Sequence, residues 1–149
     1  MDEYQFTHVP LNRDTPKRTG KTPEAKITAE CDRYLKLIGV LNIRANAGAW
    51  QDDAGHMIQG AKAGTSDKIL CVAGRFVALE LKAAKGVQSE AQKAFQARVT
   101  ALGGLYILAH SKDELRAALV AAFGEQTICD RETLGRAREK ALRTAKRNF

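Results

Sequence analysis

Apolar residues change their period several times along the chain, and each change marks an element. Ile27, Cys31, Tyr34, Leu35 and Ile38 recur at helical spacing. Thr22 supplies an N-cap ahead of them, Pro23 suits the first helical position, and Gly39 closes the run. Val40 to Ala45 alternates apolar and polar residues, which predicts a strand. The Gly/Ala-rich stretch from Asn46 to Gly64 keeps neither period and reads as a long loop. Two apolar runs follow, Lys68 to Val72 and Arg75 to Ala83, joined at Ala73-Gly74 as a hairpin.

A capping box, Ser89-x-x-Gln92, opens a second helix over Glu90 to Leu102, which Gly103-Gly104 stops. Leu105 to Ala109 is a short buried strand. Ser111-x-x-Glu114 opens a further helix to Phe123, ended by Gly124, and a basic helix runs from about Arg131 to Lys146. Met1 to Lys21 shows no periodicity and reads as an extended arm. The order α-β-β-β-α-β-α with a helical tail predicts one α/β domain built on a mixed sheet.

The hairpin carries an oddity. With Ala73-Gly74 as a two-residue turn, Val72 faces Arg75 and, by the same count, Asp67 faces Glu80. Lys82 is two residues beyond Glu80 and points to the same face. Two carboxylates so placed repel unless a cation lies between them. The bland reading is a surface ion pair, but Phe76, Ala78 and Leu79 leave this strand little polar face. At about 100° per residue, Glu24 points into the apolar stripe of the first helix, whereas Glu30 points off it. Glu24 is a candidate third ligand, although the helix dipole alone also favours an acid there.

Charge gives these acids a context. The 149 residues carry a net charge of +7, which suggests a polyanionic partner such as nucleic acid. Leu134 to Phe149 holds six Lys/Arg against one Glu, and Asn12 to Lys21 is also basic. Carboxylates without His or Cys suit a hard cation, Mg²⁺ with Mn²⁺ as its substitute. Such a cation, with a lysine beside it, serves phosphodiester hydrolysis. No G-x-x-x-x-G-K-[ST] loop is present for nucleotide phosphoryl transfer. Cys31, Cys71 and Cys129 form no CxxC pair, which argues against zinc and disulfides and for a reducing, cytoplasmic setting. No apolar run reaches the ~20 residues that span a bilayer, and the first residues lack an apolar signal core.

The combination resembles the PD-(D/E)XK nuclease superfamily, and in detail its VRR-NUC branch. Gly64-Thr65-Ser66-Asp67 is similar to that branch's GxxD motif and Glu80-Leu81-Lys82 to its ExK. Glu24 resembles the acid opening its first helix, and Asn42 to Gly48 its arginine-bearing strand and following glycine. Ser89-Glu90-Ala91-Gln92 with Phe95, then Gly103-Gly104-Leu105-Tyr106, resembles its glutamine helix and glycine turn. The likeness covers residues 22–122, between a basic flexible arm over 1–21 and a basic helical extension over 123–149.

The resemblance implies a restriction-endonuclease-like αβββαβ core, with a mixed central sheet flanked by helices. It implies that Asp67, Glu80, Glu24 and the Leu81 carbonyl bind Mg²⁺, that Lys82 assists the attacking water, and that Gln92 supports the site. Ser66 departs from the pattern, standing where the family usually has proline. Small standalone members, often phage-borne and acting in a bacterial host cell, form homodimers that cut branched DNA such as four-way junctions. Other classes stay open: a non-catalytic nucleic-acid-binding module on this fold, or an RNA endonuclease. The capping box alone is sufficient to explain Gln92, and Arg44 suits either a phosphate contact or an exposed strand face. His8, His56 and His110 read as ordinary loop or surface residues, and Trp50, Asp52 and Asp53 as part of a solvated loop.

Overall fold

The computed structural model describes residues 22–45, 49–51 and 54–147. The basic arm, His8, Asp52 and Asp53 lie outside the described residues. Helix α1 (Pro23–Leu37) begins as its sequence dictates, with the Ala25 N–H donating to Thr22 Oγ1 at 3.2 Å and Pro23 in the first turn. Strand β1 (Leu41–Arg44) follows the positive-φ Gly39. A small antiparallel ribbon comes next, β2 (Ala49–Gln51) and β3 (Met57–Gln59). Then come β4 (Lys68–Val72), β5 (Arg75–Leu81), α2 (Glu90–Ala101), β6 (Leu105–Ala109), α3 (Lys112–Phe123) and α4 (Glu125–Arg147).

Among the described residues the protein is thus a mixed α/β fold with a four-stranded mixed sheet, order β1-β4-β5-β6, and four helices. Only the β5–β6 pair is parallel, because the α2 crossover returns the chain in the same direction. One sheet face, with Leu70, Val77, Leu79, Leu81 and Ile107, packs on α1, α3 and Ile128 of α4. Each fully buried leucine there contributes about 1.5–3 kcal/mol relative to exposure. The other face, with Ala78, Glu80 and Tyr106, meets α2, where Phe95 stands edge-on to Tyr106 at a centroid distance of 6.4 Å. Strand β5 is therefore covered on both sides from Val77 onward, which is why it reads as a continuous apolar run.

Three details differ from the sequence reading. The stretch from Asn46 to Gly64 is not all loop, since Trp50 pairs with Ile58 in the ribbon. Strands of three residues are too short to show a period, although Trp and Ile favour them. Helix α4 starts at Glu125 rather than near Arg131. Gly124, at φ +89°, is the only residue separating it from α3, and Ile128 anchors its first turns in the core. Ser111 does cap α3, but Glu114 turns its carboxylate to the backbone and ring of His110 instead of closing the box. No helix of the described residues is long and apolar enough to cross a membrane.

Candidate active site

The turn sets the site. Ala73 and Gly74 both have positive φ, 49° and 79°, as a type I′ hairpin requires. The register that follows pairs Val72 with Arg75 and Lys68 with Leu79. One step further, Asp67 stands beside the end of β5 and its Oδ2 accepts the Leu81 N–H at 2.8 Å. Its own carbonyl accepts the Ala45 N–H at 2.9 Å, which ties it also to the end of β1. Upstream, Gly64 holds φ +88° against α2, where a Cβ would lie 2.5 Å from the Ala91 carbonyl oxygen. Only glycine lets this segment approach the helix so closely.

Glu80 is fully buried, and Lys82 Nζ reaches its Oε1 at 2.8 Å. The Gln92 amide donates to the same oxygen, while its own Oε1 accepts the Ser89 N–H at 2.9 Å. The two readings of Gln92 are therefore not alternatives: one side chain caps α2 and grips Glu80. Glu80 Oε2, by contrast, is buried with no partner of good geometry, although the Asp67 N–H stands close to the carboxylate. Leaving such an acceptor unmatched costs about 1–3 kcal/mol, and more when it is charged.

Burial pushes the Glu80 carboxyl above its ordinary range, and the Asp67 charge pushes the same way, against Lys82. Lys82 in turn is held above the usual lysine range, first by its bond to Glu80, with the charges of Asp67 and Glu24 adding to it. Lys82 thus sits in the field of all three predicted acids. A single ammonium leaves the buried carboxylate short of positive charge.

Glu24 is exposed at the start of α1 and, with Thr28, Arg44, Thr65 and Asp67, lines a cleft of about 300 Å³. Glu80 lies apart from that cleft, packed under α2. Among the described residues, no three His, Cys, Asp or Glu side chains converge into a ready-made metal shell. The donors nevertheless fit a hard cation in kind: they are carboxylate oxygens, and one of them is buried and unmatched. Arg44 faces the cleft, as a phosphate contact would require.

Several neighbours of the site went unread in the sequence. Lys68 is nearly buried and pairs with Asp32 of α1 at 2.7 Å, locking the start of β4 to the helix. Its alternation with Asp67 along the strand is the signal that it points inward. Ser66 is fully buried and its hydroxyl donates to the Lys68 carbonyl at 3.0 Å, a local bond that rigidifies the backbone where a proline ring would. Tyr106 shares a sheet face with Glu80. Its hydroxyl is buried with no partner of good geometry, although Gln88 stands beside it. Burial, and then the charges of Glu80 and Asp67, raise its pKa against the pull of Gln88. His110 binds Glu114 at 3.0 Å, and no described contact joins it to this cluster.

Comparisons with protein-family models, with curated proteins and with solved structures give no match to this chain.

Proposed function

We propose that this protein is a metal-dependent endonuclease hydrolysing DNA phosphodiester bonds, on the restriction-endonuclease-like fold of the VRR-NUC branch. The observation that carries the reading is at the end of β5: a fully buried Glu80 with one oxygen unmatched, beside a lysine held in the field of Glu80, Asp67 and Glu24. Structural ion pairs are normally satisfied at both ends, and an under-satisfied buried acid in the field of a cleft-lining carboxylate, Asp67, supports a ligand site.

Glu80, Asp67, Glu24 and the Leu81 carbonyl would hold Mg²⁺ or Mn²⁺. The chemistry such a cation would supply there is Lewis-acid activation of a water and charge neutralisation at the phosphate. The protein's own groups do the rest. Lys82, its pKa raised, stays protonated at neutral pH and therefore donates; it orients the attacking water or a phosphate oxygen and does not take a proton. Gln92 fixes the Glu80 rotamer from α2. Arg44 and Thr28 line the cleft where a phosphate would enter. The net charge of +7 supports a polyanionic substrate. A two-fold homodimer would present two such sites to the two strands of a branched DNA.

One observation favours a second reading, a nucleic-acid-binding module without catalysis: the acids do not form a closed shell. A single gel assay separates the two. Wild type and Lys82→Ala are incubated with a labelled four-way junction, a matching duplex and a matching RNA, with Mg²⁺, Mn²⁺ or EDTA. Metal-dependent cutting of the junction that Lys82→Ala loses is the expected result. Binding without cutting under every metal overturns the nuclease reading, and preferential RNA cutting overturns the DNA assignment.

A further inference from the structure

Helix α4 divides into two parts. Its first half is built into the body: Ile128 is fully buried, Glu132 accepts from Tyr34 Oη at 2.9 Å, and a Cβ on Gly135 would overlap the Leu37 carbonyl oxygen. From Arg136 to Arg147 every residue is exposed. Twelve residues amount to about 18 Å of helix, touching the body only near its start through Arg136 at Glu132, Arg138 beside Gly39 and Glu139 in a cavity lined with α1, and an isolated helix of that length is marginal in water. Its composition explains what it is for. At about 100° per residue, Arg136, Lys140, Arg143 and Arg147 fall within ~60° of one another, a cationic stripe spanning about 16 Å. These four side chains line one shallow groove along the helix. The opposite side offers Leu134, Ala141, Leu142 and Ala145, interrupted by Arg138, too thin an apolar face to sink into a lipid surface.

The direction of the helix matters as much as its charge. Tyr34 meets Glu132, Leu37 meets Gly135, and Gly39 lies beside Arg138, so α4 runs the same way as α1. Glu24 marks the candidate active-site end of α1, and the free part of α4 leaves from the other end. Thirteen residues of α1 separate Glu24 from Leu37, about 20 Å, and the stripe begins there and continues for most of another 20 Å. At 3.4 Å per base pair, these distances correspond to roughly 6 to 11 base pairs.

Resting on the nuclease reading above, we propose that residues 136–147 form a distal clamp on the phosphate backbone of duplex DNA, about 6 to 11 base pairs from the bond that is cut. The clamp grips the flanking arm of the substrate and takes no part in the chemistry. Substrate choice then depends on flank length: a duplex arm too short to reach the stripe loses the contacts of Lys140, Arg143 and Arg147.

The test is the triple variant Lys140→Gln/Arg143→Gln/Arg147→Gln, which keeps Arg136 and strong helix formers throughout, with circular dichroism to check that helix content is unchanged. Binding to labelled duplexes is measured in EDTA across a salt series, with 4, 8, 12 and 16 base pairs of flank. Wild type is expected to gain affinity as the flank lengthens from about 6 to 11 base pairs and then to level off, and the variant is expected to show no such gain. Losing three phosphate contacts should flatten the salt slope by about 2.7, a 40-fold smaller loss of affinity between 50 and 200 mM salt. An unchanged slope, or a loss equal at every flank length, overturns the clamp. So does loss of the flank-dependent gain in a Leu134→Gln/Leu142→Gln variant, which leaves the cationic stripe intact, because the apolar side of the helix then carries the binding. Cleavage of the same DNAs with Mg²⁺ is read separately: a flat binding profile with cutting intact refutes the clamp alone, and flank-dependent binding without any cutting refutes the nuclease reading alone.

Discussion

Two glutamates are buried among the described residues, and their surroundings are opposite. Glu132 of α4 accepts from Arg116 Nε at 2.7 Å and from Tyr34 Oη at 2.9 Å, with Arg136 nearby at 3.8 Å. Arg116 holds its carboxyl below the ordinary carboxylate value of 4.5, with Tyr34 helping. Glu80 of β5 has one ammonium and one amide crowded on a single oxygen, no partner of good geometry on the other although the Asp67 N–H stands close to the carboxylate, and a carboxyl driven upward by burial and by the Asp67 charge. Both acids are out of water, yet one is saturated and the other is short of positive charge. The first ties α4 to α1 and α3; the second is the acid that the proposed function assigns to a cation.

That contrast breaks most visibly in activity. Glu80→Gln should lower cleavage of a DNA substrate by about 10³-fold or more, the scale of losing a principal charge-stabilising group, while Glu132→Gln should leave the cleavage rate of the folded protein unchanged. Rates of product formation at equal folded concentrations check this. Equal losses in both variants would erase the distinction.

A smaller effect belongs to the side chain that positions Glu80. Gln92→Ala should cut activity by roughly 10- to 100-fold, as removal of a ligand's supporting hydrogen bond does. Gln92→Glu, which keeps the cap acceptor but not the amide donor, should lose as much. Recovery of activity in Gln92→Glu would reduce the residue to a helix cap.

Stability reverses the ranking, and with it the pH dependence. Glu132→Gln should destabilise the fold by about 1–3 kcal/mol at neutral pH, since it weakens charge-assisted bonds to Arg116. Because folding lowers the Glu132 pKa, its contribution is present above pH 4.5 and fades as pH falls through the folded value. Glu80 has the opposite sign. Its raised pKa means that ionisation above pH 4.5 costs the folded state stability, so Glu80→Gln should be neutral or stabilising at pH 7. Denaturant melts of the two variants between pH 3 and 8 test both signs, and a Glu80→Gln protein that loses as much stability as Glu132→Gln would contradict them.

How far these features were legible in the sequence follows from how local their causes are. The hairpin could be aligned because its turn has two residues, and a two-residue turn fixes every pair beyond it. Asp67, Glu80 and Lys82 met as counted. Helix α1 and its Thr22 cap were readable for the same reason, all the information lying within one turn. The β2–β3 ribbon was not, because three-residue strands carry no period. Nor was the Tyr34–Glu132–Arg116 cluster, whose members are far apart in the chain and meet only when α1, α3 and α4 pack together. The double duty of Gln92 fell between the two: its cap is local and legible, while its bond to Glu80 depends on α2 crossing over β5.

The central claim is that Glu80 is built to take a divalent cation and Glu132 is not. Isothermal titration calorimetry of Mn²⁺ into wild type, Glu80→Gln and Glu132→Gln at neutral pH, without DNA, tests it most directly. Binding in wild type and Glu132→Gln that disappears in Glu80→Gln is the predicted result. Binding that survives in Glu80→Gln, or none in any of the three proteins, would contradict the account.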